Sequence, residues 1–173
     1  YEQVGLRLNR KGAPNKDLVI VRGKRVYFRQ RDRPMRMQPP QFAMLLRKHL
    51  GNARLLSAEQ LGFDRILKLI FDTKNGIRGL VIEMFRDGNV ILLDDEGVII
   101  MPLTHVKYES RTIKRGEPYL APPEPMDARQ MSSTQLLEVL NESNRDLVHT
   151  LAGRMSLGSG SAQSLCAAAE LSP

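Results

Sequence analysis

The stretch from Arg54 to Leu103 does most to limit what this chain can fold into. Four short apolar runs, 66–71, 79–85, 89–93 and 98–101, are separated by Asn75-Gly76, Asp87-Gly88 and Glu96-Gly97. Apolar, β-branched runs punctuated by such dipeptides predict consecutive antiparallel strands joined by tight turns. Lys68 and Glu83 interrupt otherwise apolar runs, which predicts strands with one wetter face. Upstream, Asp17–Arg29 reads as a hairpin, with DLVIV and RVYFR on either side of Gly23-Lys24. Before that hairpin, Arg7–Asn15 is polar and basic with Gly12 and Pro14, which predicts an exposed loop. Pro39-Pro40 opens a predicted helix, Gln41–Leu50, and Gly51-Asn52 stops it. Phe42, Leu45, Leu46 and either His49 or Leu50 fall on one face of that helix, leaving Arg47 and Lys48 outward. The expected class is α+β, a sheet or two-sheet sandwich with flanking helix. A stiff linker with Pro122, Pro123 and Pro125 follows, then helical pieces at 133–141, 144–154 and 161–170.

Charge names a partner class. Residues 1–50 hold thirteen lysines and arginines against three acids, and residues 51–173 hold thirteen against sixteen, so the net +7 is a +10 front and a −3 remainder. A concentrated positive field draws polyanions by steering and by counterion release, so nucleic acid is the natural partner. A basic surface kept for solubility is an equally simple reading of the charge alone. No membrane partner is expected: the basic residues do not lie on one amphipathic helix, and runs such as Val90–Leu93 are too short to span a bilayer. A single cysteine, Cys166, excludes an intramolecular disulfide and suits a cytoplasmic location. With His49, His105 and His149 scattered, no zinc spacing can be written, and neither a metal nor a cofactor is expected.

Three local patterns could carry chemistry. Arg22, Lys24, Arg25, Arg29, Arg31, Arg33 and Arg36 form a dense basic stretch suited to phosphates, with four arginines in the eight residues from Arg29 to Arg36. Gly62-Phe63-Asp64-Arg65 puts an acid beside an arginine, which it can orient toward a phosphate or base edge; as a bare dipeptide it is more often a surface ion pair. Arg47 and Lys48 are by themselves an ordinary solvated face. Leu157-Gly158-Ser159-Gly160 lies between two predicted helices, and a hairpin of that kind, here Gly158, Ser159 and Gly160, binds nucleic-acid backbone through main-chain N–H groups. A glycine-capped helical hairpin is the simpler alternative. Asp94-Asp95 precedes a turn glycine and reads as turn chemistry rather than, with Glu83, a metal site. Nucleotide-binding loops, nucleophile elbows and HExxH are absent, so no catalytic residue is expected.

The ordered set Gln41–Leu50, Gly62-Phe63-Asp64-Arg65-Ile66, Val81-Ile82-Glu83-Met84-Phe85 and Gly88-Asn89-Val90-Ile91-Leu92 resembles the N-terminal domain of the NFACT family, also called fibronectin-binding protein A-like. Tyr119 with Pro122-Pro123 matches the Tyr-x-x-Pro-Pro ending of that domain, and residues 151–167 are similar to the helix-hairpin-helix after it. The resemblance implies a β-sandwich with flanking helices like the N-terminal domain of formamidopyrimidine-DNA glycosylases over 1–125, lacking its opening segment. A helix-hairpin-helix domain over 126–173 would follow, left open by the end of the chain. It implies RNA binding in ribosome-associated quality control. The whole proteins bind a large ribosomal subunit with obstructed peptidyl-tRNA and recruit aminoacyl-tRNA, alanyl-tRNA in particular, for untemplated C-terminal tailing. By that similarity Asp64 and Arg65 match an Asp-Arg motif tied to tRNA handling, and Arg47-Lys48 the helix beside it. The ribosome makes the peptide bonds, so a non-enzymatic module is expected; any homodimer would use regions outside this chain. Two alternatives remain, a DNA glycosylase or lyase and a protein-binding adhesin or assembly module. In the RNA-binding reading Arg65→Ala should weaken tRNA binding more than Arg111→Ala.

Overall fold

The computed structural model describes residues 3–29, 38–123, 126–155 and 157–171. Its backbone divides into two compact units, Tyr1–Leu61 with Arg65–Pro122, and Gly62–Asp64 with Pro123–Pro173.

The first unit is built on two sheets. Strands β1 (Gln3–Arg10), β2 (Ala13–Val21) and β3 (Arg25–Arg29) form an antiparallel meander. After helix α1 (Gln41–Leu50), strands β4 (Arg54–Gln60), β5 (Ile66–Thr73), β6 (Gly76–Glu83), β7 (Asn89–Leu93) and β8 (Ile99–Pro102) form a second sheet in sequence order. Period-two alternation then decides what each face meets. Leu69 and Phe71 of β5, Leu80 and Ile82 of β6, and Val90 and Leu92 of β7 join Leu18 and Ile20 of β2 and Phe42 and Leu46 of α1 in one buried cluster. The intervening residues, Ile66, Val81, Ile91, Leu93 and Ile99, form a second cluster on the opposite face with Ile113. Short strands β9 (Val106–Lys107) and β10 (Thr112–Ile113) belong to the segment covering that face. A sheet buried on both faces explains why its strands read as nearly continuous apolar runs.

Several expectations are corrected. Arg7–Asn15 is not a loop: Val4, Leu6 and Leu8 alternate inward along β1, and only Lys11-Gly12 turns before β2. Strand β4, absent from the reading of the sequence, is an edge strand with mostly exposed side chains and no apolar run. Glu83 does not mark a wetter face. It is fully buried, and its Oε1 accepts hydrogen bonds from Arg111 Nη1 at 2.6 Å and Tyr119 Oη at 3.0 Å. Lys68 is half-buried on β5. Arg111, at 7% exposed, is therefore unsuitable as an inert surface control for RNA binding.

The second unit contains α2 (Ser133–Asn141), α3 (Leu147–Arg154) and α4 (Ser159–Ala168) around a core of Val139, Val148, Leu151, Met155, Ala162 and Cys166. Ser132 caps α2 in a reciprocal pair with Gln135, and the Asp146 carboxylate caps α3 by accepting from His149 N. That cap starts α3 three residues later than the predicted Asn144. Helix α4 starts two residues earlier than expected, so Ser159 and Gly160 form its first turn rather than a loop. Within the linker, Glu124 and Pro125 lie outside the described residues.

Candidate nucleic-acid interface

The strand register of the first sheet determines its outward face. With Leu18 and Ile20 in the core, the residues between them point away, in rows across the three strands: Gln3, Val21, Arg25; Gly5, Val19, Tyr27; Arg7, Asp17, Arg29. Arg25 lies over the Tyr27 ring at 5.4 Å, and that ring is partly exposed. In the third row Asp17 is shared: Arg7 donates through Nε and Nη2 at 2.8 and 3.1 Å, and Arg29 through Nη2 at 2.9 Å. These bonds, Arg7 first, hold the Asp17 carboxyl down to about 2, so it stays ionised and cancels one of the two guanidinium charges. Val19, Val21 and Asp17 in these rows are buried, so what this face offers is at its β1 and β3 margins, where Arg25 beside the partly exposed Tyr27 can take a phosphate by charge and a base by stacking. On the opposite face of the sheet, the one carrying Leu18, Lys16 lies 5.6 Å from the Phe28 ring, which is more than half exposed.

The predicted residues separate into different roles. Arg25 and Arg29 are on the outward face, Arg29 already engaged with Asp17, and Lys24 is exposed in the β2–β3 turn. Arg22 serves its own fold: its Nε donates to the backbone carbonyls of Asp87 at 2.7 Å and Gly88 at 3.2 Å. Arg31, Arg33 and Arg36 lie outside the described residues. Arg47 and Lys48 are exposed in the last turn of α1, where they also offset its C-terminal dipole. His49 beside them has its pKa lowered by burial, then by the charges of Arg78 and Lys48, so it adds no cation at neutral pH. Arg65 is exposed and Asp64 half-buried, and the two belong to different units. Gly158 has φ +75, and a Cβ there would meet none of the described residues within 4 Å, so the backbone turn calls for glycine. Gly158, as the N-cap of α4, brings no side chain to the first amides of the helix, those of Ser159 and Gly160.

Arg7 and Tyr27 were missed as site residues because their significance is positional. The Val4-x-Leu6-x-Leu8 alternation was the signal that would have placed Arg7 outward on a strand. Asp94 behaves as read, its Oδ1 accepting from Glu96 N and Val98 N within the turn. Among the described residues no histidine, cysteine and carboxylate group clusters as a metal ion would require. Nor is any helix among them long and apolar enough to cross a membrane.

Comparison with known proteins agrees with the motif pattern. The family described as NFACT N-terminal and middle domains matches residues 1–173. The chain belongs to that family. This NFACT chain is 36% identical over 167 residues to the archaeal Rqc2 homolog aRqcH of Methanocaldococcus jannaschii, covering 91% of the chain and 25% of the relative. It is 38% identical over 97 residues to the ribosome quality control complex subunit NEMF of Homo sapiens, covering 56% of the chain and 9% of the relative. The NFACT chain thus spans a quarter or less of those two relatives. Its fold is similar to the crystal structure of the N-terminal domain of fibronectin-binding protein PavA from Streptococcus pneumoniae, with TM-score 0.74 and 25% identity. That match covers 95% of this chain and 66% of the other.

Proposed function

We propose that this NFACT chain is an RNA-gripping part of a ribosome quality control factor. In this reading the whole protein binds a large ribosomal subunit carrying obstructed peptidyl-tRNA and recruits aminoacyl-tRNA, alanyl-tRNA in particular, for C-terminal tailing. The ribosome forms the peptide bonds, so the chain positions tRNA and performs no catalysis of its own, and it works in the cytoplasm. Two relatives named as Rqc2 or ribosome quality control proteins support the setting. The observation that carries RNA binding is the face of β1–β3 on which Arg25 lies over the partly exposed Tyr27 ring and Arg7 and Arg29 share Asp17 in a neighbouring row. Arg47, Lys48, Asp64 and Arg65 supply further tRNA contacts. The helical unit, as a helix-hairpin-helix domain, offers the Gly158–Gly160 amides to backbone phosphate.

Arg65→Ala is expected to weaken tRNA binding in a filter-binding titration about tenfold, the cost of a charge-assisted contact. Arg115→Ala, also exposed in the first unit, replaces the unsuitable Arg111 control and should change affinity less than twofold. Equal effects would reject the assignment of Arg65. The name of the PavA neighbour favours one competing reading, a protein-binding adhesin. An adhesin should give no saturable complex with total tRNA at moderate salt.

A further inference from the structure

Phe63 belongs to none of the three apolar clusters. Its ring instead carries the Arg129 guanidinium, 4.5 Å from the centroid. The stack lies within the second unit, to which the three residues Gly62–Asp64 belong although the chain on either side of them belongs to the first. Arg129 is not a loose surface cation. Its Nε and Nη2 donate to Asp127 Oδ1 and Oδ2 at 2.9 and 2.8 Å, and its backbone N–H donates to the same Oδ1 at 3.0 Å. Gln130 Nε2 adds a fourth bond to that carboxylate at 3.2 Å. The fork is therefore fixed in plane and orientation while the side chain stays 67% exposed. The hydrogen bond from Arg129 is also the main cause that holds the Asp127 carboxyl below its usual range.

We propose that Arg129 is a positioning residue for Asp64: stacked on Phe63 and locked by Asp127, it holds the Gly62–Asp64 segment where Asp64 can act on RNA. The inference rests on the reading of Asp64 as a tRNA-handling residue. Gly62 takes φ +55 in a turn whose base is closed by the Leu61 N–H donating to the Ile66 carbonyl at 2.9 Å, and the ring contact adds a side-chain restraint at the tip of that turn. A direct phosphate contact by Arg129 is disfavoured because its charge is already matched by both oxygens of Asp127.

The test is tRNA affinity as a function of salt for the intact chain and its variants, each checked for folding by circular dichroism and urea unfolding. Arg129→Ala and Phe63→Leu should each weaken binding about fivefold, with the slope of log affinity against log salt unchanged. Phe63→Tyr should bind like the wild type because the ring is kept. Arg129→Ala combined with Asp64→Ala should bind no more weakly than Asp64→Ala alone. Wild-type affinity for Arg129→Ala, or additive losses in the double variant, would overturn the proposal. A slope reduced by about 0.7–0.9 would do so too, because it would mark Arg129 as a phosphate contact. If the wild type forms no saturable tRNA complex, the underlying RNA reading has failed and takes the proposal with it. That outcome is visible before any variant is compared.

Discussion

Arg111→Met is expected to lower stability by about 3–5 kcal/mol, because it leaves a buried carboxylate without its cation. Glu83 has no exposed surface, and its Oε2 has no hydrogen-bond partner among the described residues. Arg111 Nη1 supplies its charge at 2.6 Å and also donates to the Leu120 carbonyl at 3.0 Å. The guanidinium lies 4.9 Å from the Tyr108 ring and 6.0 Å from that of Tyr119. Burial, then the charge of Glu83, pushes the Tyr119 hydroxyl well above its usual range, so it stays protonated and donates. Urea unfolding should show the loss, and Arg115→Met should stay within about 0.5 kcal/mol of the wild type. The double variant Glu83→Leu with Arg111→Met should recover much of the deficit, since it removes both buried charges together. A single Arg111→Met variant within 1 kcal/mol of the wild type, on the scale of a surface change, would contradict this account of the network.

Gly88→Ala should be of similar severity, about 4 kcal/mol or loss of the folded chain, for a reason of shape rather than charge. A Cβ on Gly88 would overlap the backbone N and Cα of Gly23 and come within 2.7 Å of the Glu83 carbonyl. The residue also has φ +62. On the facing turn, a Cβ on Gly23 would stand 2.6 Å from the Arg86 carbonyl. The β2–β3 and β6–β7 turns thus meet backbone to backbone, and Arg22 closes the contact from one side. Gly97→Ala isolates the conformational cost, since φ is +81 there but nothing stands within 4 Å of the added carbon. It should cost only about 1–2 kcal/mol. Equal unfolding midpoints for the two variants would show that the turn-to-turn contact contributes little.

Much of the fold was legible because burial and period coincide. The runs at 66–71 and 89–93 lie in β5 and β7, that at 79–85 overruns the end of β6 by Met84 and Phe85, that at 98–101 starts one residue before β8, and α1 runs from Gln41 to Leu50 as its proline start and Gly-Asn stop require. Strand β4 was not legible because an exposed edge strand needs no apolar pattern. The role of Glu83 was hidden for a different reason. Its partners, Arg111 and Tyr119, lie 28 and 36 residues away, so a charge that looked wet is satisfied only in three dimensions. The same partnership gives the Tyr-x-x-Pro-Pro ending its physical sense, since Tyr119 donates into that buried pair. Net charge marks the basic front third but says nothing of the division of labour within it. Arg22 holds two turns together, while Arg7, which the loop assignment had set aside, stands on the outward face with Arg25 and Arg29.

The most direct test of the central claim is equilibrium binding of total tRNA to this chain as potassium chloride is raised from 50 to ~300 mM. The cationic-face account predicts a saturable complex whose log affinity falls linearly with log salt. Arg25→Ala should flatten the slope by about 0.7–0.9, the counterions of one phosphate contact. No saturable complex at the lowest salt, or an affinity indifferent to salt, would contradict it.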